Sequence, residues 1–341
     1  MKRFGFMGLA LLAAGCVSTP LGLPPDATPY EFEHAEMGVP FRIFVYAPSK
    51  NAAEGAATAA FSRIAQINDE MTDYDSDSEL SRLSQTSGQD KEVHVSPDLW
   101  RVLERAQDLA ERSHGAFDAT VGPYVNLWRY ARRKGAMPDP VRLAKARMAV
   151  GYTKMKLDPR RHTVKLIAPN MRLDLGGIAK GYAVDQALRT LTRLGVTNAL
   201  IFGGGDMAMS GKPPGRKGWR IELPPLDATN APMARYVVVS NVGISTSGDL
   251  FQRLEINGTR YSHIIDPRTG IGLTDHRLVT VIAGDDFTAD GLTKVMSVLP
   301  PSEALKFIAK TPGAYVRIVR KPGANVPVEV YQSWGFNRFY E

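Results

Sequence analysis

Short runs of β-branched and aromatic residues alternate along this chain with longer stretches whose apolar positions recur at helical spacing. Phe41-Arg42-Ile43-Phe44-Val45-Tyr46, ending before Pro48, predicts a strand. Residues 51–71 are Ala-rich with a helical period. Ser96-Pro97 ahead of Leu99, Trp100, Val102 and Leu103 supplies an N-cap, a proline at the first helical position and an apolar face that closes at Gly115. Strands are predicted at 163–167, in a segment ending at Leu175, and at 198–202, 219–223 and 235–239. A helix runs from Gly177 to Leu194 and is stopped by Gly195. Leu254-Glu255-Ile256, Asn257-Gly258 and Arg260 to Ile265 form the strongest hairpin signal, because Asn-Gly accepts the positive φ of a type I′ turn. A strand at 277–283, helices at 286–299 and 301–310, and strands at 314–320 and 327–332 complete the pattern. Strands in runs, with hairpins among them and helices interposed irregularly, predict an α+β fold rather than a doubly wound parallel sheet.

Composition narrows the class. With 341 residues, 44% of them hydrophobic and 23% charged, the chain buries a sizeable core and is neither disordered nor fibrous. The net charge is +7, two units of which come from Lys2 and Arg3, so no nucleic-acid partner is expected. Cys16 is the only cysteine, which excludes internal disulfides and cysteine-rich metal sites. It follows a basic n-region, an apolar run from Phe4 to Ala14 and the small residues Ala13-Ala14-Gly15. That string resembles a bacterial lipoprotein signal, so residues 1–15 are expected to be removed and Cys16 to carry a lipid. The tether would then hold the protein on the periplasmic face of a bacterial membrane. Residues 16–30, with four prolines and few large apolar side chains, form the linker, and 31–341 the folded domain.

Four places carry chemistry. Asp174-Leu175-Gly176-Gly177-Ile178-Ala179-Lys180-Gly181 sets an acid before a Gly-Gly turn and a lysine in the first turn of a helix. A helix N-terminus with an ammonium beside it accepts phosphate or diphosphate, although the glycines serve equally well as a plain turn. The P-loop spacing is absent, and Gly203-Gly204-Gly205 lacks the dinucleotide spacing. Tyr261 to Gly270 delivers His263, a natural proton acceptor at neutral pH or a hydrogen-bonded structural histidine, and then turns at Asp266-Pro267. Asp290 and Lys294 share a helix face at i,i+4, either as a surface ion pair or with Asp290 as an oxygen ligand for Mg²⁺. Gly203-Gly204-Gly205-Asp206 and Ser245-Thr246-Ser247-Gly248 are polar glycine-rich loops. The Arg129, Arg132, Arg133 and Lys134 run reads as a solvated helix face, and Trp100 and Trp128 as core.

In order along the chain these strings resemble the FAD:protein FMN transferases of the ApbE type. The markers begin with Met37-Gly38, Met71-Thr72-Asp73-Tyr74-Asp75, and Gly115-Ala116-Phe117-Asp118. They continue with Asp174 to Tyr182, Gly204-Gly205-Asp206, Ser245 to Gly248, His263 to Gly270, and Ala289-Asp290. The resemblance implies a T-fold-like α+β domain that binds FAD and, with Mg²⁺, moves FMN onto a Ser or Thr hydroxyl of an acceptor flavoprotein, releasing AMP. It implies FAD contacts from Met37, Tyr74, Ala116, Phe117, Asp118, Asp174, Lys180 and Ile265. It also implies metal ligation by the Gly177 carbonyl and Asp290, with His263 taking the proton of the incoming hydroxyl.

One position departs from the family pattern. A threonine expected four residues after Asp290 is replaced by Lys294, with Thr293 one place earlier. A protonated lysine has no lone pair for a metal and repels it. Three arrangements remain open: Thr293 as the ligand, Lys294 replacing part of the metal's charge, or a site that holds FAD without turning it over. Transferase, FAD pyrophosphatase and non-catalytic FAD holder are therefore separate expectations.

Overall fold

A computed structural model describes residues 28–226, 235–249, 253–323 and 326–341; the expected signal segment, including Cys16, lies outside them. A first hairpin joins β1 (Tyr30–Glu36) to β2 (Val39–Val45). Then come α1 (Lys50–Met71), α2 (Glu79–Gln85), β3 (Val93–His94), α3 (Pro97–Arg112), α4 (Gly122–Lys134) and α5 (Pro140–Ala149). A second hairpin, β4 (Met155–Asp158) with β5 (Thr163–Leu166), leads to α6 (Ala179–Arg193). Five strands follow: β6 (Ala199–Gly203), β7 (Asp206–Ser210), β8 (Trp219–Leu223), β9 (Arg235–Val239) and β10 (Val242–Gly248). Two small hairpins, β11 (Arg253–Ile256) with β12 (Thr259–Ser262) and β13 (Ile265–Asp266) with β14 (Ile271–Gly272), precede β15 (His276–Ala283). The chain closes with α7 (Asp286–Val298), α8 (Pro301–Ile308), β16 (Tyr315–Lys321) and β17 (Glu329–Gln332).

Eight strands form one sheet in the order β1-β2-β6-β7-β10-β15-β16-β17, every neighbouring pair antiparallel, and the α+β class holds. Its two faces follow the period of two along each strand. Phe41, Ile43, Val45, Ile201, Val279, Val281, Val316 and Ile318 lie in the large core shared with the helices. Leu200, Met209, Ile244 and Ile282 point the other way, into a second core closed by Trp219 and Val237 of the β8–β9 hairpin and by Phe336. Ala199-Leu200-Ile201-Phe202 is continuously apolar for this reason: neither face of β6 meets water.

The helical layer is built on small residues. Ser49 caps α1 by accepting from Ala52 N, and Ala53, Ala57, Ala60, Ile64, Ile67 and Met71 form its buried stripe, an alanine-rich surface that lets α6 approach closely. Helix α6 packs in turn on α7, which lies over β10 and β15. At that crossing Gly181 is indispensable, since a Cβ there falls 2.4 Å from the Asp286 carbonyl and 2.7 Å from Asp290 Cβ. Helix α7 is buried nearly all round and carries Asp286, Asp290, Thr293 and Ser297 inside, although long burial is unusual for such residues unless they are paired. Among the described residues no helix is long and apolar enough to cross a membrane.

Several sequence expectations are corrected. No strand ends at Leu175: Leu173 N donates to Ser84 Oγ and Asp174 N to the Ala119 carbonyl, so side chain and loop take the bonds a ladder would have used, apart from one bridge between Arg172 and Val121. Helix α6 starts at Ala179, two residues after Gly177. The return strand of the Asn257-Gly258 hairpin stops at Ser262, whose hydroxyl accepts from Ile264 N. The turn itself has the expected positive φ, 50° at Asn257 and 74° at Gly258. Helices α2, α4 and α5 and strand β1 are additional elements.

Gly181→Ala is expected to lower unfolding free energy by about 1–3 kcal/mol through overpacking. Gly55→Ala, in the interior of α1 with open space beside it, should raise it by roughly 0.5–1 kcal/mol. Denaturant titration of both variants checks the pair; a silent Gly181→Ala would refute the close α6–α7 crossing.

Candidate active site

Asp290 is fully buried on α7, and two ammonium groups converge on its carboxylate. Lys294 Nζ stands 2.9 Å from Oδ1, and Lys180 Nζ stands 4.0 Å from Oδ2, which also accepts from Gly181 N at 3.1 Å. The i,i+4 pair is thus internal and not a surface ion pair. Burial alone would raise the Asp290 pKa, but Lys180 and Lys294 outweigh it and hold the carboxyl below its ordinary value. Lys180 sits in the first turn of α6, where its charge opposes the helix dipole. Burial disfavours its ammonium, yet Asp206, 2.5 Å away, and then Asp290 keep it charged well above the usual lysine range.

Asp206 follows the Gly203-Gly204-Gly205 turn, and nothing in its sequence neighbourhood marks it as functional. The turn at Gly204 and Gly205, both at positive φ, starts β7 at Asp206, and the register sets Ser245 of β10 opposite. Ser245 Oγ donates to Asp206 Oδ1 at 2.6 Å, leaving Oδ2 for Lys180. Asp286, also fully buried, has no hydrogen-bond partner on either oxygen among the described residues. Burial, then the charges of Asp206, Asp185 and Asp290, push its carboxyl well above the ordinary carboxylate range. Asp185 accepts from the N–H groups of Asp286 and Phe287, and burial raises it to about 7. Their only sequence signal was an acid inside an apolar helical stripe.

The expected ligand contacts form a second group continuous with the first. Phe117 is buried beside Gly177, where an added Cβ would lie 3.4 Å from the Phe117 ring and 3.1 Å from Lys294 Cγ. Asp174 accepts from Gly176 N at 2.9 Å and from Arg129 Nη2 at 3.3 Å; Arg129 also binds Asp73 and lies 4.3 Å from the centre of the Tyr74 ring. Burial, and then Asp73, raise the Asp174 pKa despite Arg129. Arg129 was read as part of a solvated helix face; it turns inward instead, because Asp73 and Asp174 need a shared cation. Tyr74 is 81% exposed and supported from below by that guanidinium. Ala116 is buried, and Asp118 spends its carboxylate on Thr120 N, Thr120 Oγ1 and Tyr152 N, holding the loop in shape.

Met37, at φ 51° in the first hairpin, stands at the end of the sheet where Phe41 pairs with Gly203, next to the turn that presents Asp206. His263 is half-buried between β12 and β13, its backbone fixed by Ser262 N donating to the Leu273 carbonyl and Leu273 N to that of Ile264. Ile265 is buried with Tyr124 and Trp128, whose indole donates to the Gly270 carbonyl. Asp266 forms the turn by accepting from Arg268 N. Trp100 and Trp128 are core, as read.

The three residues expected to hold Mg²⁺ do converge, but the Lys294 ammonium already stands against the oxygens of two of them. Asp290 Oδ1 and Thr293 Oγ1 each lie 2.9 Å from Lys294 Nζ, Thr293 also donates to the Asp290 carbonyl, and Gly177 packs on the Lys294 stem. A divalent cation does not fit this arrangement beside a fixed ammonium. Among the described residues no group of three or more His, Cys, Asp and Glu is disposed to hold a metal.

The fold and these residues define an antiparallel α+β protein in which a Gly-Gly turn, the start of α6 and two lysines gather round one buried carboxylate. The chain belongs to the ApbE family, whose profile it matches over residues 37–318. It is 35% identical over 260 residues to the FAD:protein FMN transferase of Haemophilus influenzae, spanning 74% of this chain and 75% of that one. With that of Klebsiella pneumoniae it shares 29% identity over 97% of this chain and 94% of the other. It superposes on the flavin transferase ApbE from Vibrio cholerae with a TM-score of 0.82 and 28% identity, covering 91% and 99% of the two chains. The ApbE protein of Thermotoga maritima gives 0.81 at 28% identity, with 92% and 99% covered.

Tyr74→Ala is expected to leave the melting temperature unchanged and to weaken FAD binding by about 1–3 kcal/mol, the value of an aromatic stacking platform. Arg129→Ala should lower both. Flavin fluorescence titration with parallel thermal melts checks this; equal FAD affinity in Tyr74→Ala removes Tyr74 from the site.

Proposed function

We propose that this chain is an FAD:protein FMN transferase. The observation that carries the reading is the Lys180 ammonium, held between Asp206 and Asp290 in the first turn of α6 and preceded by the Gly176-Gly177 turn. Such a site suits the diphosphate of FAD. Phosphoryl transfer asks a protein mainly for positioning and charge compensation, and buried, preorganised donors supply both.

In the reaction, the hydroxyl oxygen of an acceptor Ser or Thr attacks the phosphorus on the FMN side of the diphosphate. The new phosphoester bond forms as the phosphoanhydride P–O bond breaks, and AMP leaves with the bridging oxygen. His263 takes the hydroxyl proton. Lys180 meets the charge that develops on the leaving phosphate, and Asp206 with Ser245 holds Lys180 in place. Arg129 and Tyr74 form the wall against which the flavin or the adenine lies. No step is assigned to Mg²⁺, because Asp290 and Thr293 are already bonded to Lys294.

The basic n-region, the apolar run and Ala14-Gly15-Cys16 support a lipid on Cys16 that tethers the chain to the periplasmic face of a membrane, where an acceptor flavoprotein would be met.

Incubation of the purified chain with FAD and a Ser/Thr acceptor domain is expected to yield a fluorescent acceptor band and one AMP per flavin attached. Lys180→Met should abolish both. AMP without a labelled acceptor would identify a pyrophosphatase instead. For the anchor, labelled palmitate should enter the wild-type chain in bacteria and not Cys16→Ser; equal label in both refutes lipidation at Cys16.

A further inference from the structure

We propose that Lys294 is a built-in replacement for the divalent cation at the diphosphate, so that this chain binds FAD and transfers FMN without a metal. The proposal rests on the flavin-transfer reading above and deepens it at the same site. Three observations carry it.

The ammonium stands at the point that the expected metal ligands enclose. It lies 2.9 Å from both Asp290 Oδ1 and Thr293 Oγ1, with its stem beside Gly177. The oxygens a cation would use already face positive charge: Asp290 Oδ1 and Thr293 Oγ1 accept from Lys294, and Asp290 Oδ2 accepts from Gly181 N and faces Lys180. Finally, Lys294 has capacity to spare. An ammonium donates three hydrogen bonds, two of which go to Asp290 and Thr293, leaving the third for a ligand oxygen.

The side chain is well placed to act in this way. It is one residue from Thr293 on a helix buried nearly all round, its stem lies beside Gly177, and its side chain keeps 18% of its surface exposed. Asp290 then carries a cation on each carboxylate edge, Lys180 toward Asp206 and Lys294 toward Gly177. A diphosphate spanning the mouth of the cleft meets two fixed ammonium groups rather than one ammonium and one metal ion. The attack on phosphorus and the departure of AMP remain as written above; only the source of the positive charge differs.

The test uses the purified chain, stripped with EDTA, with residual metal quantified by mass spectrometry, and reads FAD affinity and flavin transfer separately. The wild type is expected to bind FAD with the same affinity in EDTA and in millimolar Mg²⁺, and to transfer flavin equally in both. Lys294→Thr should bind FAD about tenfold or more weakly in EDTA, the value of one lost charge-assisted hydrogen bond, and recover on addition of Mg²⁺. A wild type that loses FAD binding in EDTA and regains it with Mg²⁺, or that keeps one equivalent of divalent metal through stripping, overturns the proposal whether or not the variant folds. FAD binding that ignores EDTA, together with no transfer in either condition, removes the transferase reading and leaves the Lys294 assignment standing.

Discussion

The rest of this molecule is arranged around one carboxylate that has no access to water. Asp290 is tolerated in the middle of α7 because a backbone N–H and two lysines satisfy it, and each partner comes from a different requirement of the fold. The N–H belongs to Gly181, which must lack a side chain for α6 to cross α7. Lys180 is its neighbour in the chain and is placed by the same crossing. Lys294 follows one turn later on α7 itself. The packing of two helices and the chemistry of the cleft are therefore a single constraint, and a change that loosens one loosens the other.

Much of this arrangement was legible in the sequence, for identifiable reasons. Elements with a local signal were found: the capped α3, the Asn257-Gly258 turn, the alanine stripe of α1 and the Gly-Gly turn before α6. The order of short motifs was specific enough to indicate the family. Elements whose bonds are made at a distance were misread. Residues 171–175 have strand-like composition, yet their backbone is satisfied by Ser84 and Ala119, which no local window contains.

The site divides in the same way. Asp290, Lys180 and Gly177 carry helix-start and turn signals, and the fold sets Lys180 beside Asp290 and Gly177 beside Lys294. Arg129 looked like one member of a basic run, because its inward orientation depends on Asp73 and Asp174, far away in the chain. Asp206 looked like a turn residue until the register of β7 with β10 set Ser245 beside it. Asp118 braces its own loop through Thr120 and, thirty-four residues away, Tyr152. Charge patterning along a chain gives the inventory of ions, whereas their partners are assigned only by the sheet order.

That order has a mechanical consequence. Strands β7 and β10, which carry Asp206 and Ser245, are fourth and fifth in a sheet of eight, with three strands beyond each of them. Fraying at either edge leaves the anchor of Lys180 untouched, so the backbone amides beside Asp206 belong to the slowest-exchanging part of the chain. Tyr74, by contrast, is exposed on a loop outside the sheet and rests on the Arg129 guanidinium.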